Sequence, residues 1–545
     1  MAAALPDPGR AAKFTDLEHT RIEEPRPADV PSDAELEAAG AVIGRIDIDT
    51  RNIFNEHDPR ETNGLFMLAN RVHIRTKPGA IKAQLLFASG DKYRASALAE
   101  TERNLRLLDY LYDARVVPVH YAEGKVDVKV ITKDVWTLTP GVSIGRAGGV
   151  NSTSFDIQDE NLLGFGKSLE IARGSSVDRT SDSVIWSDPN VFGSHWTSAV
   201  LDVHSSDGGE RAFQAEHPFY SLDTRWETKV TAVSYDRTIS RYNLGQIVDQ
   251  FKDDETSYEL SGGISDGLID GWTRRWLAGV RYDRNVFRPD YGSSMPAAVL
   301  PADRTLSYPF VGFDIAQDRY KKTGDENQIG RTEDFFFGTE VSGELGYSSS
   351  GSGATQDAIM LALHALRGYE FGSKQQLFLE ETFNTRIEEG RARNLVADGG
   401  AKYYWRWHED HLFYAAISTT FTNALDPELQ LLIGGDNGLR GYPLRYESGT
   451  SRALFTLEER FYSDWFPYRL VRVGGAIFSD VGRTWGRGSV GNSDPGLLRD
   501  LGFGLRVGNS RSGLGNVLHV DVAFPLNALA GISRVQFLVG TQQTF

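Results

Sequence analysis

The sequence predicts an all-β transmembrane barrel of about 16 antiparallel strands, preceded by a small α+β domain. Three observations predict it. From Gly141 to Phe545 apolar and polar residues alternate with period two, and almost no stretch keeps a helical period. The chain carries 56 glycines, 29 Phe, 21 Tyr and 10 Trp, yet has no run of the roughly 20 apolar residues that a spanning helix needs. Its final strand alternates up to a terminal aromatic, Phe545.

Composition narrows the function classes. A formal charge of −16 over 545 residues gives no footing for nucleic-acid binding. The absence of cysteine excludes disulfides, thiolate metal sites and a cysteine nucleophile.

Residues 1–40 hold Pro6, Pro8, Pro25, Pro27 and Pro31 among many charges, and read as a linker tail without a packed core. The tail lacks the charged start and apolar centre of a secretory signal, so an exported form of this sequence would be the mature one. Residues 41–140 form the α+β domain. Ala41 to Ile48 alternates at its end, as a half-buried strand does. Ile81, Leu85 and Leu86 recur at helical spacing before Gly90. A second helix runs from about Arg94 to Leu111, with Leu98, Leu105 and Leu108 on one stripe and Ser96 as N-cap. Strands at Ala114 to Tyr121 and Lys125 to Lys133 close the unit around the turn Glu123-Gly124.

The remainder, residues 141–545, is the barrel. Tyr403, Trp405 and Trp407 share a face that continues as Phe413, Ala415, Ile417 and Phe421. Val471, Val473, Ile477 and Val481 oppose Arg472 and Asp480. Leu501, Phe503, Leu505 and Val507 oppose Gly502, Gly504 and Arg506, and Leu518, Val520, Val522 and Phe524 oppose His519 and Asp521. A soluble β sandwich alternates too. Two features favour the barrel: there is room for about 25 residues per strand unit, and aromatic pairs such as Trp465-Phe466 sit at strand ends like an interfacial girdle. In the last strand Val535, Phe537, Val539, Thr541, Gln543 and Phe545 share one face, the usual terminal signal of such barrels, with Thr541 and Gln543 more polar than the pattern prefers.

Several segments resemble the BamA/TamA-like outer-membrane assembly superfamily, also called bacterial surface antigen proteins. Gly434 to Pro443, with Leu439-Arg440-Gly441-Tyr442 at its centre, is similar to that family's Arg-Gly-aromatic loop folded into the barrel lumen. Leu457-Glu458-Glu459-Arg460-Phe461 resembles the acidic strand after the loop. Phe478-Ser479-Asp480-Val481-Gly482 followed by Trp485 resembles the Asp-x-Gly strand. The α+β domain resembles one POTRA module, through Leu85 to Asp91 and Glu102 to Leu105. Asn161 to Gly166 and Glu216 to Tyr220 resemble early barrel segments of the group. The resemblance implies a bacterial outer-membrane location with the N-terminal domain in the periplasm. It implies unfolded client polypeptides and the lipid bilayer as partners, and no cofactor.

Charge placement agrees with the family's loop. Glu458 and Asp480 fall on the faces opposite the apolar positions of their strands, and one guanidinium can reach two carboxylates. Arg440 is therefore expected to lock the loop to the wall, the alternative being three unrelated solvated charges. Glu459 falls on the lipid-facing parity, which places it near a headgroup boundary or a subunit contact.

Enzyme readings are weaker. Gly263-Ile264-Ser265-Asp266-Gly267 matches Gly-x-Ser-x-Gly, but Leu268 to Gly271 reads as a hairpin turn where that motif needs a helix. His408 and His411 read as a strand-end pair, with no metal-ligand spacing. The expected function is insertion or translocation of polypeptides. A client strand would add to the POTRA sheet edge, and the first and last barrel strands would form a lateral seam. The alternative is a dedicated secretion pore or a structural surface barrel without clients.

Overall fold

The computed structural model describes residues 22, 24–297, 299–324, 332–463, 465, 467, 470–486, 495–509, 511, 517–527 and 531–542. Its N-terminal unit is built from α1 (Asp33–Ala38), β1 (Val42–Arg51), α2 (Gly64–Val72), α3 (Pro78–Lys82), α4 (Ala95–Arg106), β2 (Leu111–Ala122) and β3 (Lys125–Asp134). The sheet order is β1-β3-β2, with β1 parallel and β2 antiparallel to β3. Val126, Val128 and Val130 of β3 pack against Ile43, Ile81, Leu98 and Leu105 in one core. Glu123 and Gly124 both take positive φ (50° and 73°), as a tight turn between twisted antiparallel strands requires.

Several local features differ from the sequence expectations. Leu36 of α1 is buried in the same core, so packing begins ahead of Ala41; Ser32 caps that helix through a reciprocal box with Glu35. The helix around Ile81 is five residues long and starts at Pro78, and Leu85 and Phe87 reach the core from irregular chain beyond it. α4 is capped at Arg94, which leaves Ser96 inside its first turn. α2 has no counterpart in the sequence reading, because Leu65, Leu68 and Val72 are exposed and leave only Phe66 and Asn70 buried as a stripe.

From Leu138 onward, twenty strands close into one antiparallel barrel among the described residues, where about 16 were expected. The physical reason is economy in the connections. The six strands between Leu138 and His217 are only 8–10 residues long and are joined by short connections, two of them two-residue turns (148–149 and 206–207). By contrast Gln246–Ile269 runs for 24 residues. Large apolar side chains such as Phe155, Ile171, Val230, Trp276, Ile417 and Phe503 stand exposed around the outside. Opposite them, the inward positions carry glycine and charged residues, the pattern of a barrel wall in lipid.

The N-terminal unit caps one end of the barrel, the near end. The connections at 161–164 and 190–193 have the same shape, with positive φ at Leu163 and Phe192 and at the glycine that follows each. Both grip the segment around α3. Asn161 Nδ2 donates to Thr76 Oγ1 (2.7 Å), and Asn190 Nδ2 donates to the Ala83 carbonyl (3.3 Å). Leu222 N–H donates to Glu100 of α4 (2.8 Å), and Arg106 makes a bidentate pair with Asp334 on a barrel hairpin (2.7 and 2.8 Å).

Candidate functional site

The barrel's far-end connection at 424–450 folds back into the lumen. A short ribbon, Leu431–Ile433 paired with Glu447–Gly449, forms its stem. Ile433, Leu439, Tyr442, Tyr446 and Leu498 form a buried cluster that seats it on the wall. The wall beneath is made by the strands Ser451–Tyr462, Val471–Trp485, Leu498–Asn509 and Val517–Pro525. Their register lays inward residues in rows: Thr456 beside Asp480 beside Asp500, and Arg460 beside Ala476 beside Gly504 beside Asp521.

Arg440 comes down onto these rows and is only 1% exposed. Its Nε and Nη2 donate to the two oxygens of Asp480 (2.7 and 2.9 Å), and Nη1 donates to Glu458 Oε2 (3.0 Å). Asp521 lies 3.5 Å from the same Nη1, and Cζ stands 3.3 Å above the Phe478 ring. Arg460 and Arg506 reach the other oxygen of Glu458 at 2.9 and 3.2 Å, and Arg506 also pairs with Asp521. Three guanidiniums thus interleave with Glu458, Asp480 and Asp521, which satisfies charges that would be costly to bury alone.

Gly441 follows Arg440 because the loop touches the wall there. Its N–H donates to Asp500 Oδ2 (2.8 Å), and an added Cβ would lie 2.6 Å from the Asp500 Cβ. Tyr442 is fully buried. Its hydroxyl donates to Asn527 Oδ1 (2.6 Å) and accepts from Arg499 N–H (3.1 Å). Higher up, Arg445 spans the lumen mouth to a bidentate pair with Asp178 (2.7 Å each), and its guanidinium stacks on Tyr242.

The structure therefore brings Leu439, Arg440, Gly441, Tyr442, Glu458 and Asp480 into one cluster. Sequence reasoning missed Arg460, Arg506, Asp500 and the Arg445–Asp178 bridge. Parity carried a signal for two partners, since Arg506 and Asp521 lie opposite the apolar faces of their strands. In the last strand, Phe537 points outward while Gln536 is buried. Val535 lies just before that strand and Val539 within it, and Phe545 lies outside the described residues.

The first and last barrel strands meet at the seam that closes the barrel. Among the described residues Leu138–Ala147 and Gln536–Gln542 share one register pair, Val539 with Arg146. Gln536–Gln542 makes seven pairs on its other side, and Leu138–Ala147 makes ten. A luminal cavity of about 600 Å³ opens beside the seam, lined by Arg146, Asp398, Lys402, Arg452, His519 and Val539.

No protein-family model and no curated protein matches the chain. Among solved structures it is similar to BamA from Haemophilus ducreyi lacking POTRA domains 1-3, at 12% identity and a TM-score of 0.38, over 91% of this chain and 84% of that one. It is also similar to CdiB from Acinetobacter baumannii (13% identity, TM-score 0.41, covering 92% of this chain and 73% of that one) and to CdiB from Escherichia coli (13%, 0.46, 91% and 76%).

The remaining candidates sit apart from this cluster. Gly263 to Gly267 lies within the 24-residue strand, and Ser265 Oγ accepts from Gly267 N–H (2.9 Å). His411 pairs with Glu459 (3.0 Å), which also accepts from Trp407 Nε1 (3.1 Å). Glu459 thus sits among aromatics at the near end.

Proposed function

We propose that this chain is a bacterial outer-membrane barrel that inserts or translocates polypeptides, with its N-terminal unit a POTRA-like module on the periplasmic side. The observation that carries the reading is the seam, joined among the described residues by one register pair where the flanking pairings number seven and ten, beside a luminal cavity. Each strand pair in a closed barrel removes an edge, so a seam short of pairs would leave main-chain groups on both strands to template an incoming strand. The outward apolar belt supports the membrane location, and the loop anchored by Arg440 supports a lumen that is braced rather than an open pore. Extended clients would be met first on the sheet of the N-terminal unit, whose main-chain recognition tolerates many sequences.

Quantifying the outer-membrane proteome before and after depletion tests this. A joint fall of many barrel proteins is the expected result. An unchanged proteome refutes insertion, and loss of a single exported protein assigns a dedicated secretion pore instead.

A further inference from the structure

α2 is apolar on both sides, and only one side is seated on protein. Phe66 stacks on Phe54 (ring centroids 4.1 Å apart) in a small core with Ile53. Trp136 and Leu470, which lead into the strands Leu138–Ala147 and Val471–Trp485, pack against that core. Leu65, Leu68 and Val72 lie on the other side of the helix, each more than half exposed, and Ile74 just past it is exposed as well. A contiguous apolar face of this kind marks a surface that something else covers.

The face continues onto the barrel. The chain after α2 lies along the 161–166 connection: Lys77 N–H donates to the Gly164 carbonyl (2.9 Å), and a Cβ on Gly164 would lie 3.4 Å from Ile74 Cγ2. Leu163 and Phe165 of that connection are exposed, and Phe192, in the next near-end connection, is fully so. Leu163 and Phe192 both take positive φ, where glycine or asparagine is the usual residue, so a hydrophobic tip stands there against local preference. Phe155 and Ile157 carry the same outward face along the adjoining strand into the apolar belt of the barrel.

Cations rim this face. Arg71, Arg75 and Lys77 are exposed, and among the described residues none of them pairs with a carboxylate. Arg75 Nη1 donates to the Thr50 carbonyl (3.5 Å), and Lys77 Nζ stands 3.3 Å above the Phe165 ring. The acids of the neighbouring stretch are already engaged: Glu61 with Arg511, Asp58 with Arg60, and Glu56 with Asn70 Nδ2 (3.3 Å). In a chain of net charge −16, three cations without a carboxylate beside an apolar face are complementary to anionic headgroups.

We propose that α2, with the tips at Leu163, Phe165 and Phe192, is seated in the near leaflet of the membrane that the barrel spans. Its apolar side lies among acyl chains, and Arg71, Arg75 and Lys77 meet the phosphates of anionic phospholipids. This rests on the reading of the chain as a membrane barrel. The N-terminal unit is then held by the lipid as well as by the barrel.

The test uses the full chain in vesicles of phosphatidylcholine, with or without phosphatidylglycerol. The chain has no cysteine, so one introduced thiol carries one fluorophore. Labels at Leu68→Cys, Val72→Cys and Phe192→Cys, all exposed positions, should be quenched by lipids bearing a doxyl group and shielded from iodide added on both sides. A label at Glu123→Cys, in the turn at the end of β3 remote from the barrel, should show the reverse. Phe503→Cys on the outer wall marks the membrane. Arg71→Gln with Arg75→Gln should lower the docked-to-free ratio at Leu68 by about thirtyfold on anionic vesicles and leave it unchanged on phosphatidylcholine alone. Iodide quenching at Leu68 and Val72 as strong as at Glu123, with Phe503 in lipid, overturns the proposal and leaves the barrel reading standing. Shielding from iodide without doxyl quenching gives the face to a protein partner or a second copy and overturns it too. Equal docking of the parent and the double variant on anionic vesicles overturns the headgroup contacts. A label at Phe503 that lipid does not quench overturns both the proposal and the barrel reading.

Discussion

Replacing Arg440 by alanine should release the luminal loop, and the structure sets the size of the effect. The substitution removes two bonds to Asp480 and one to Glu458. Glu458 keeps Arg460 and Arg506 as counter-charges, so it remains compensated. Asp480 is 0% exposed and keeps Thr456 Oγ1 (2.9 Å) and the neighbouring Asp500 carboxyl, neither of them a cation, so one carboxylate is left buried without a counter-charge. Breaking a buried pair costs about 3–5 kcal/mol, and with one orphan rather than two the lower end applies. About 3 kcal/mol is a shift of roughly 10²-fold in the opening equilibrium. The Gly441 amide, bonded to Asp500, reports it directly, so hydrogen exchange over residues 434–446 should quicken by about that factor. Arg440→Lys keeps the charge but loses the fork, and should fall between the two. The double replacement Arg440→Met with Asp480→Leu removes the orphan and should recover part of the loss. Exchange in Arg440→Ala within about twofold of the parent would refute the reasoning, because no lock of this size could then exist.

Other perturbations follow from the same contacts. Gly441→Ala pushes a Cβ against the Asp500 Cβ at 2.6 Å, and hydrogen exchange should show the same loop release with Arg440 intact. Disulfide closure of Arg146→Cys with Val539→Cys, a register pair across the seam, should raise the temperature of heat-modified gel mobility and stop client insertion; full activity with the seam locked excludes lateral opening. Asp334→Asn weakens the bidentate grip on Arg106, and limited proteolysis should then cut the N-terminal unit faster while the barrel stays resistant. Burial, with the Arg511 charge adding to it, pushes the Lys133 ammonium of β3 down from 10.5 to about 8. The unfolded chain holds that proton up to about pH 10.5 and the folded chain only to about 8, so stability should rise with pH across that window, with the full penalty present below it. Lys133→Met should flatten this rise in thermal melts and stabilise the unit at pH 7 by at most about 3 kcal/mol.

The barrel was legible because lipid and lumen impose opposite demands on alternate residues, which Leu501 to Val507 record plainly. Its strand number was not, since length per strand was counted with long loops in mind. Hairpins such as Val150–Asp159 with Leu138–Ala147 turn through two glycines, 148 and 149, and spend almost nothing on connection. The ion-pair cluster was half legible. Arg440, Glu458 and Asp480 announce themselves through motif and parity, but the contribution of Arg460 depends on register between strands, which no single-strand pattern contains. α2 was hidden for the opposite reason: a helix that buries one side of a single turn leaves no periodic stripe to read.

The two ends of the barrel are braced unequally, and this bears on how a client could enter. At the far end the loop is fixed at two depths, by Arg440 on the wall and Arg445 across the mouth. At the near end the N-terminal unit is gripped by connections spread from residue 161 to residue 334 and by Arg511, whose Nη1 donates to the Ile53 carbonyl at 3.2 Å. Among the described residues one register pair joins the seam's two strands, of ten and seven residues. Opening cost scales with the hydrogen bonds and packing that must be given up, so the first element to yield under an incoming strand is the seam, ahead of the loop or the cap. Ordered by that cost, parting of the seam should precede exchange of the Gly441 amide whenever the barrel opens. If the Gly441 amide exchanged faster than the main-chain amides flanking Val539, lateral entry would lose its energetic basis and passage through the lumen would become the cheaper route.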